Sequence, residues 1–414
     1  MNRCILKYKE ELEVFLKSLP FRLFVALVFG LLLGNFLGVS GNETTDGIMN
    51  AIMSVRHISN QIIMFAVPLI IFGTVAPSIA KMGKNASRLL GFSVLLVYLF
   101  SVAAALFSYA VGSVAVPALA NVIPATADAR RALPSMLFQL NIPPIMPVLS
   151  AMALAIFIGL GAVWAKAEAF NKVLEDLNNM TIAMVTKMVI PILPVFIASA
   201  FAQLAFDGRF TIQLPVFLAA VLVVIVAQLV WLAILHVVAF VYTGKNPLET
   251  LKHYGSAYLT AAGTMSSSAT LPVALEAAKK STVLNKKMVD FGMPLFAHIH
   301  MCGSAITLIF LAMTASMVIY GTLPPFNIMI LYILLQCVFT VSAPGVPGGT
   351  LMASLGLIVA LLGFEDGGTA IALMLAIFPL QDSFGTATNI TSDGPMILIL
   401  SKYAEKRGLA TIEQ

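Results

Sequence analysis

Long runs of apolar residues alternate along this chain with short polar stretches. Runs of this length fit neither the two-residue alternation of a half-buried strand nor the one-sided stripe of a surface helix. Eight of them can cross about 30 Å of hydrocarbon as helices, at roughly 20–40, 57–80, 89–116, 145–165, 180–205, 213–243, 291–320 and 367–401. Two further apolar segments, at roughly 250–285 and 325–363, are interrupted near the middle. The first break reads Gly263-Thr264-Met265-Ser266-Ser267-Ser268-Ala269-Thr270-Leu271-Pro272. The second reads Ser342-Ala343-Pro344-Gly345-Val346-Pro347-Gly348-Gly349-Thr350. Such breaks leave backbone N–H and C=O groups unpaired, which hydrocarbon does not tolerate unless the segment is buried in protein or lines a polar cavity. The pattern therefore predicts an all-α polytopic membrane protein with eight transmembrane helices and two re-entrant helical hairpins.

Composition agrees, since charged residues are 10% of the chain and hydrophobic ones 59%. So little charge cannot cover a water-facing surface, and lipid becomes the main solvent. Lysine and arginine then set the orientation. With the N-terminus inside and both hairpins returning to the side they left, the basic residues of 3–22, 81–88, 166–172, 245–252, 279–287 and 402–407 share one side. Arg56, Arg130, Arg131 and Arg209 fall on the other, and Lys187 lies within a span. Full crossings at 250–285 or 325–363 would scatter these clusters. The hairpins thus enter from opposite faces, each followed by a spanning helix, which is the layout of inverted repeats. The net charge of +5 is explained by topology and implies no nucleic-acid partner. No cleavable leader is evident in 1–19, and Cys4, Cys302 and Cys337 show no pairing pattern.

Asp382 and Asp393 are the two acidic residues deep inside a long apolar span. Asp382, Thr386, Asn389 and Asp393 are spaced by four, three and four, so they share a helix face. An intramembrane carboxylate is costly unless partnered, and this span offers no basic residue, so a cation from outside the chain is the simpler partner.

Ser266–Ser268 with Ala269-Thr270-Leu271-Pro272, the Gly345-Val346-Pro347-Gly348 break and the Asp382, Thr386, Asn389, Asp393 face together resemble the dicarboxylate/amino-acid:cation symporter family, the glutamate transporter homologues. Leu380-Gln381-Asp382-Ser383 and Gly348-Gly349-Thr350 look nearest the sodium/serine-threonine symporter branch. The resemblance implies that Asp382 holds a solute amino group, while Asn389 and the serine-rich tip hold its carboxylate. The implied solute site comprises Ser266, Ser267, Ser268, Val346, Asp382, Gly385, Thr386, Asn389 and Ser304. The implied cation site comprises His298, His300, Cys302, Asn389, Asp393 and Ser342. Also implied are a homotrimer in the cell inner membrane with cytoplasmic termini, and an elevator motion. A transport core at 213–401 would move against scaffold helices at 20–116 and 145–205, helix 3 moving with either, with 402–414 a cytoplasmic tail.

Departures from the family narrow the solute. Acidic-substrate members carry arginine where this chain has Gly385, archaeal relatives carry another where it has Met265, and Phe378 replaces the usual accompanying aspartate. A side-chain carboxylate would lack its bidentate partner, which favours a small neutral amino acid such as serine, threonine or alanine. The family's Asn-Met-Asp-Gly-Thr is matched by His300-Met301-Cys302-Gly303-Ser304. One sodium-binding carboxylate is thereby lost and two imidazoles are introduced, so Na+ stands as the coupling ion with H+ as the alternative. Further alternatives are a proton-coupled carrier of amino acids or dicarboxylates and an anion-conducting relative. An intramembrane hydrolase at Ser304 lacks the Gly-x-Ser-x-Gly elbow, so no enzyme is expected.

Overall fold

The computed structural model describes residues 19–40, 42–84, 88–120, 135–208, 210–246, 248–342 and 348–408. Among these there are helices and loops but no strands. The chain begins with α1 (Leu19–Ser40), α2 (Glu43–Lys84) and α3 (Arg88–Ala120). After the extended stretch 135–147 come α4 (Val148–Trp164), α5 (Glu168–Phe206) and α6 (Phe210–Thr243). The second half holds α7 (Gly255–Thr264), α8 (Ser267–Lys280), α9 (Lys286–Ile299), α10 (Cys302–Tyr320), α11 (Phe326–Ser342), α12 (Gly349–Leu362) and α13 (Thr369–Lys406).

Six of the described helices are long and apolar enough to cross a membrane, and the bent α13 makes a seventh. The span expected at 145–165 is α4, whose 17 residues stand at the lower limit for crossing. Two elements outrun their apolar cores. α2 has 42 residues because its polar start is partnered: the Ser54 hydroxyl accepts from the Leu137 N–H (3.0 Å) and Gln61 Oε1 from the Ile142 N–H (3.1 Å). The extended stretch 135–147 therefore lies along α2. α5 runs 39 residues through a π-helical turn at Val185–Val189. Pro191 has no N–H for the Lys187 carbonyl, and the wider turn absorbs that mismatch.

α1 packs on α5 backbone to backbone. Gly30, Gly34 and Gly38 recur every four residues, and a Cβ on Gly30 or Gly34 would overlap the carbonyl of Ala198 or Ala202. Close approach of this kind lets dispersion and helix packing act where lipid supplies no hydrophobic drive. Gly34→Leu is expected to lower the stability of the detergent-solubilised protein by about 2 kcal/mol or more, as overpacking does. Thermal unfolding of the purified variant checks this, and an unchanged midpoint would refute the packing argument.

In both interrupted segments the two helical arms pack on each other, α7 with α8 and α11 with α12. Residues 343–347, between α11 and α12, lie outside the described residues. α9 and α10 form one span broken at His300–Met301, with both residues out of helical geometry. α13 bends by 42° between Leu375 and Ile377. Pro379 explains the bend, because its ring clashes with the carbonyl four residues earlier. Around this spine, α10 is buried along the whole of Cys302–Ser316, with the Ser108 hydroxyl of α3 donating to the Ile306 carbonyl (2.7 Å).

Candidate functional site

The second hairpin and the break between α9 and α10 meet the polar face of α13. Asp382, Thr386, Asn389 and Asp393 are all buried there, and each of the three residues with a described side-chain bond reaches a different partner.

Asp382 meets the second hairpin, its Oδ2 accepting the Gly348 N–H at 2.8 Å. Gly348 has φ +72°, left-handed geometry that glycine adopts without strain, and it places this N–H just before α12. Asn389 meets the break between α9 and α10. Its Oδ1 accepts from the N–H of Gly303 (2.7 Å) and of Ser304 (3.4 Å), and its Nδ2 donates to the Ser304 hydroxyl (3.1 Å). A side-chain oxygen thus satisfies the exposed donors of a helix start inside the protein. The fit is close, since a Cβ on Gly303 would lie 2.8 Å from Thr388 Cβ.

Asp393 meets His300. Asp393 Oδ1 lies 3.1 Å from His300 Nδ1, which is also 3.2 Å from the Ser392 hydroxyl. Cys302 Sγ lies 3.3 Å from the same hydroxyl. Both members of the pair are fully buried, and Asp393 Oδ2 and His300 Nε2 have no partner among the described residues. A buried oxygen of a carboxylate with nothing to satisfy it suits a hard cation.

The first hairpin supplies the serines, in three different roles. Met265 turns the chain at φ +50° and is buried, so it is part of the turn itself. Ser266 caps α8 by accepting from the Ala269 N–H (3.3 Å). Ser267 is buried, whereas Ser268 is exposed, with its hydroxyl 3.3 Å from His298 Nε2. His298 Nδ1 lies 2.7 Å from the Pro294 carbonyl, which can only accept, so in the neutral ring Nε2 accepts from Ser268.

The sequence reading grouped His298, His300, Cys302, Asn389, Asp393 and Ser342 as one cation set, and the structure divides it. His300, Cys302 and Asp393 come together around Ser392. His298 faces the first hairpin because two residues before the break it still lies on α9, whereas His300 lies within the break. Asn389 is taken up by the start of α10. Ser342 ends α11, and Val346 lies outside the described residues. No group of three His, Cys, Asp or Glu side chains suited to a metal ion occurs among the described residues. Gln228 of α6, which donates to the Gly303 carbonyl and to Thr307 Oγ1, was missed. Its one signal was a glutamine inside an apolar span.

The profile of the sodium:dicarboxylate symporter family matches residues 19–403. Human excitatory amino acid transporter 2 is 28% identical over 253 residues, which are 57% of this chain and 42% of that protein. The mouse excitatory amino acid transporter 2 is 27% identical over the same shares, and an excitatory amino acid transporter of Caenorhabditis elegans is 28% identical over 41% of this chain and 33% of its own. The chain thus spans less than half the length of these relatives.

Proposed function

Because the chain belongs to the sodium:dicarboxylate symporter family, a family of transporters rather than enzymes, we propose that it imports a small neutral amino acid together with Na+. The observation that carries the choice of solute is the absence of a cation from the site. By the family resemblance Gly385 and Met265 stand at both arginine positions, and the described hydrogen-bond partners of Asp382 and Asn389 include no arginine or lysine. A second carboxylate on the solute would enter a buried site uncompensated. In this reading Asp382 takes the ammonium, and Asn389, Ser267 and Ser268 take the carboxylate.

For Na+, the residues present fit through Asp393 Oδ2, which has no partner among the described residues. As the carboxylate at Cys302 is missing, fewer Na+ ions per cycle are expected than in acidic-substrate relatives. One observation favours a second reading, proton coupling, namely the buried His300–Asp393 contact. The family resemblance further supports an elevator in which 213–401 moves against 20–116 and 145–205, within a homotrimer of the cell inner membrane whose termini are cytoplasmic.

Counterflow uptake in proteoliposomes with an amino-acid panel tests the solute. Serine, threonine or alanine should compete best, and glutamate or aspartate as the best competitor would refute the reading. Gly385→Arg should raise the relative affinity for acidic solutes by about tenfold or more, as a bidentate charge-assisted pair does. There is room for its Cβ, whose nearest neighbours would stand 3.6 Å away. The same competition assay on the variant measures the change.

A further inference from the structure

Gln228 sits on α6, against the start of α10, and is 1% exposed. Its Nε2 donates to the Gly303 carbonyl at 3.2 Å and to the Thr307 hydroxyl at 2.9 Å. The Gly303 carbonyl can only accept, which fixes which end of the amide faces it. Thr307 itself donates to that carbonyl at 3.1 Å, leaving its lone pairs to receive the second amide hydrogen. Both N–H groups are therefore used. Gln228 Oε1 is buried and has no partner among the described residues.

Clamping α10 to α6 accounts for the nitrogen and not for the oxygen. A buried acceptor left unpaired is costly, and a leucine or methionine would fill the same space without that cost. The position of the amide supplies a reason for it. A Cβ on Gly385 would stand 3.6 Å from Gln228 Nε2 and 3.6 Å from the Ser304 nitrogen, with nothing nearer. The methyl-sized room beside Gly385 is thus bordered by the nitrogen end of this amide.

We propose that Gln228 reads the solute's side chain, its Oε1 accepting a hydrogen bond from a hydroxyl or carboxamide donor that enters beside Gly385. The inference rests on the neutral-amino-acid reading and adds to it a preference for solutes that carry a donor. A carboxylate side chain offers no donor and would meet an acceptor, so the same amide discriminates against acidic solutes.

The test compares L-serine with L-alanine, which differ by the hydroxyl, as KM values for uptake into proteoliposomes. The parent should prefer serine about tenfold, the worth of one hydrogen bond to a buried group. In Gln228→Met the ratio of the two KM values should fall to within about twofold of one. Gly385→Ala is the second variant, since its methyl fits at ordinary contact distance and screens the amide; it should lower the ratio in the same direction. Loss of the clamp alone would raise both KM values together and leave the ratio at the parent's value in both variants. That result would overturn the inference, as would a parent that treats serine and alanine alike, while neutral-solute transport stood. A parent that carries neither would sink the neutral-amino-acid reading and this inference with it.

Discussion

Proteoliposomes containing Asp382→Asn are expected to take up serine with a KM about 10- to 150-fold above the parent's, the equivalent of about 1.5–3 kcal/mol. The amide is nearly isosteric and keeps an oxygen able to accept the Gly348 N–H, so the tie between α13 and the second hairpin survives the change. The negative charge is what disappears, and with it the charge-assisted bond to an ammonium group. Binding measured directly on the purified variant separates recognition from hairpin closure. Equal affinity in variant and parent would remove Asp382 from the solute site. A thermal midpoint close to the parent's is expected alongside, because the substitution leaves no new buried charge.

Asp393→Asn should have the larger effect on the ion, raising the Na+ concentration for half-maximal uptake by at least about tenfold. Asp393 Oδ1 is engaged by His300 while Oδ2 has no partner among the described residues, so one carboxylate oxygen is available to a cation in a fully buried place. Replacing it with an amide removes the charge that offsets the cation's lost hydration. His300→Gln should retain Na+-driven uptake, as a side-chain amide can still donate towards Asp393 Oδ1. Na+ and pH gradients imposed separately decide between the two ions. Uptake driven by a pH gradient alone, indifferent to Na+ and abolished in His300→Gln, would overturn Na+ coupling. A proton on His300 would then neutralise Asp393 where the cation should be, and affinity would fall as pH rose through the imidazole range.

Much of the molecule was legible before any coordinates. The length of the apolar runs fixed the helical membrane class, because hydrocarbon leaves the backbone no partner but itself. Ser, Gly and Pro in mid-run marked both breaks between helical arms, and the spacing of Asp382, Thr386, Asn389 and Asp393 put them on one face. Helix ends were read less well. α2 begins at Glu43 rather than near 57, since Ser54 and Gln61 serve the extended stretch 135–147, a partner remote in the chain. Span periodicity carries no trace of such a contact.

By itself, the sequence determined the helical class, the two breaks and the buried carboxylates, which follow from composition and local spacing, while the missing cations at Met265 and Gly385 are what the family resemblance implies. The tertiary structure decided which groups meet. His298 and His300 differ by two residues, yet one rides the end of a helix towards Ser268 and the other lies in the break against Asp393. Asn389, expected from the resemblance in both the solute and the cation sets, accepts the N–H groups that open α10. Gln228 faces Gly385 across 157 positions of chain. The physical reason is common to all three. A buried donor or acceptor must find its complement in three dimensions, and that complement lies on another helix whose distance and rotation only packing sets.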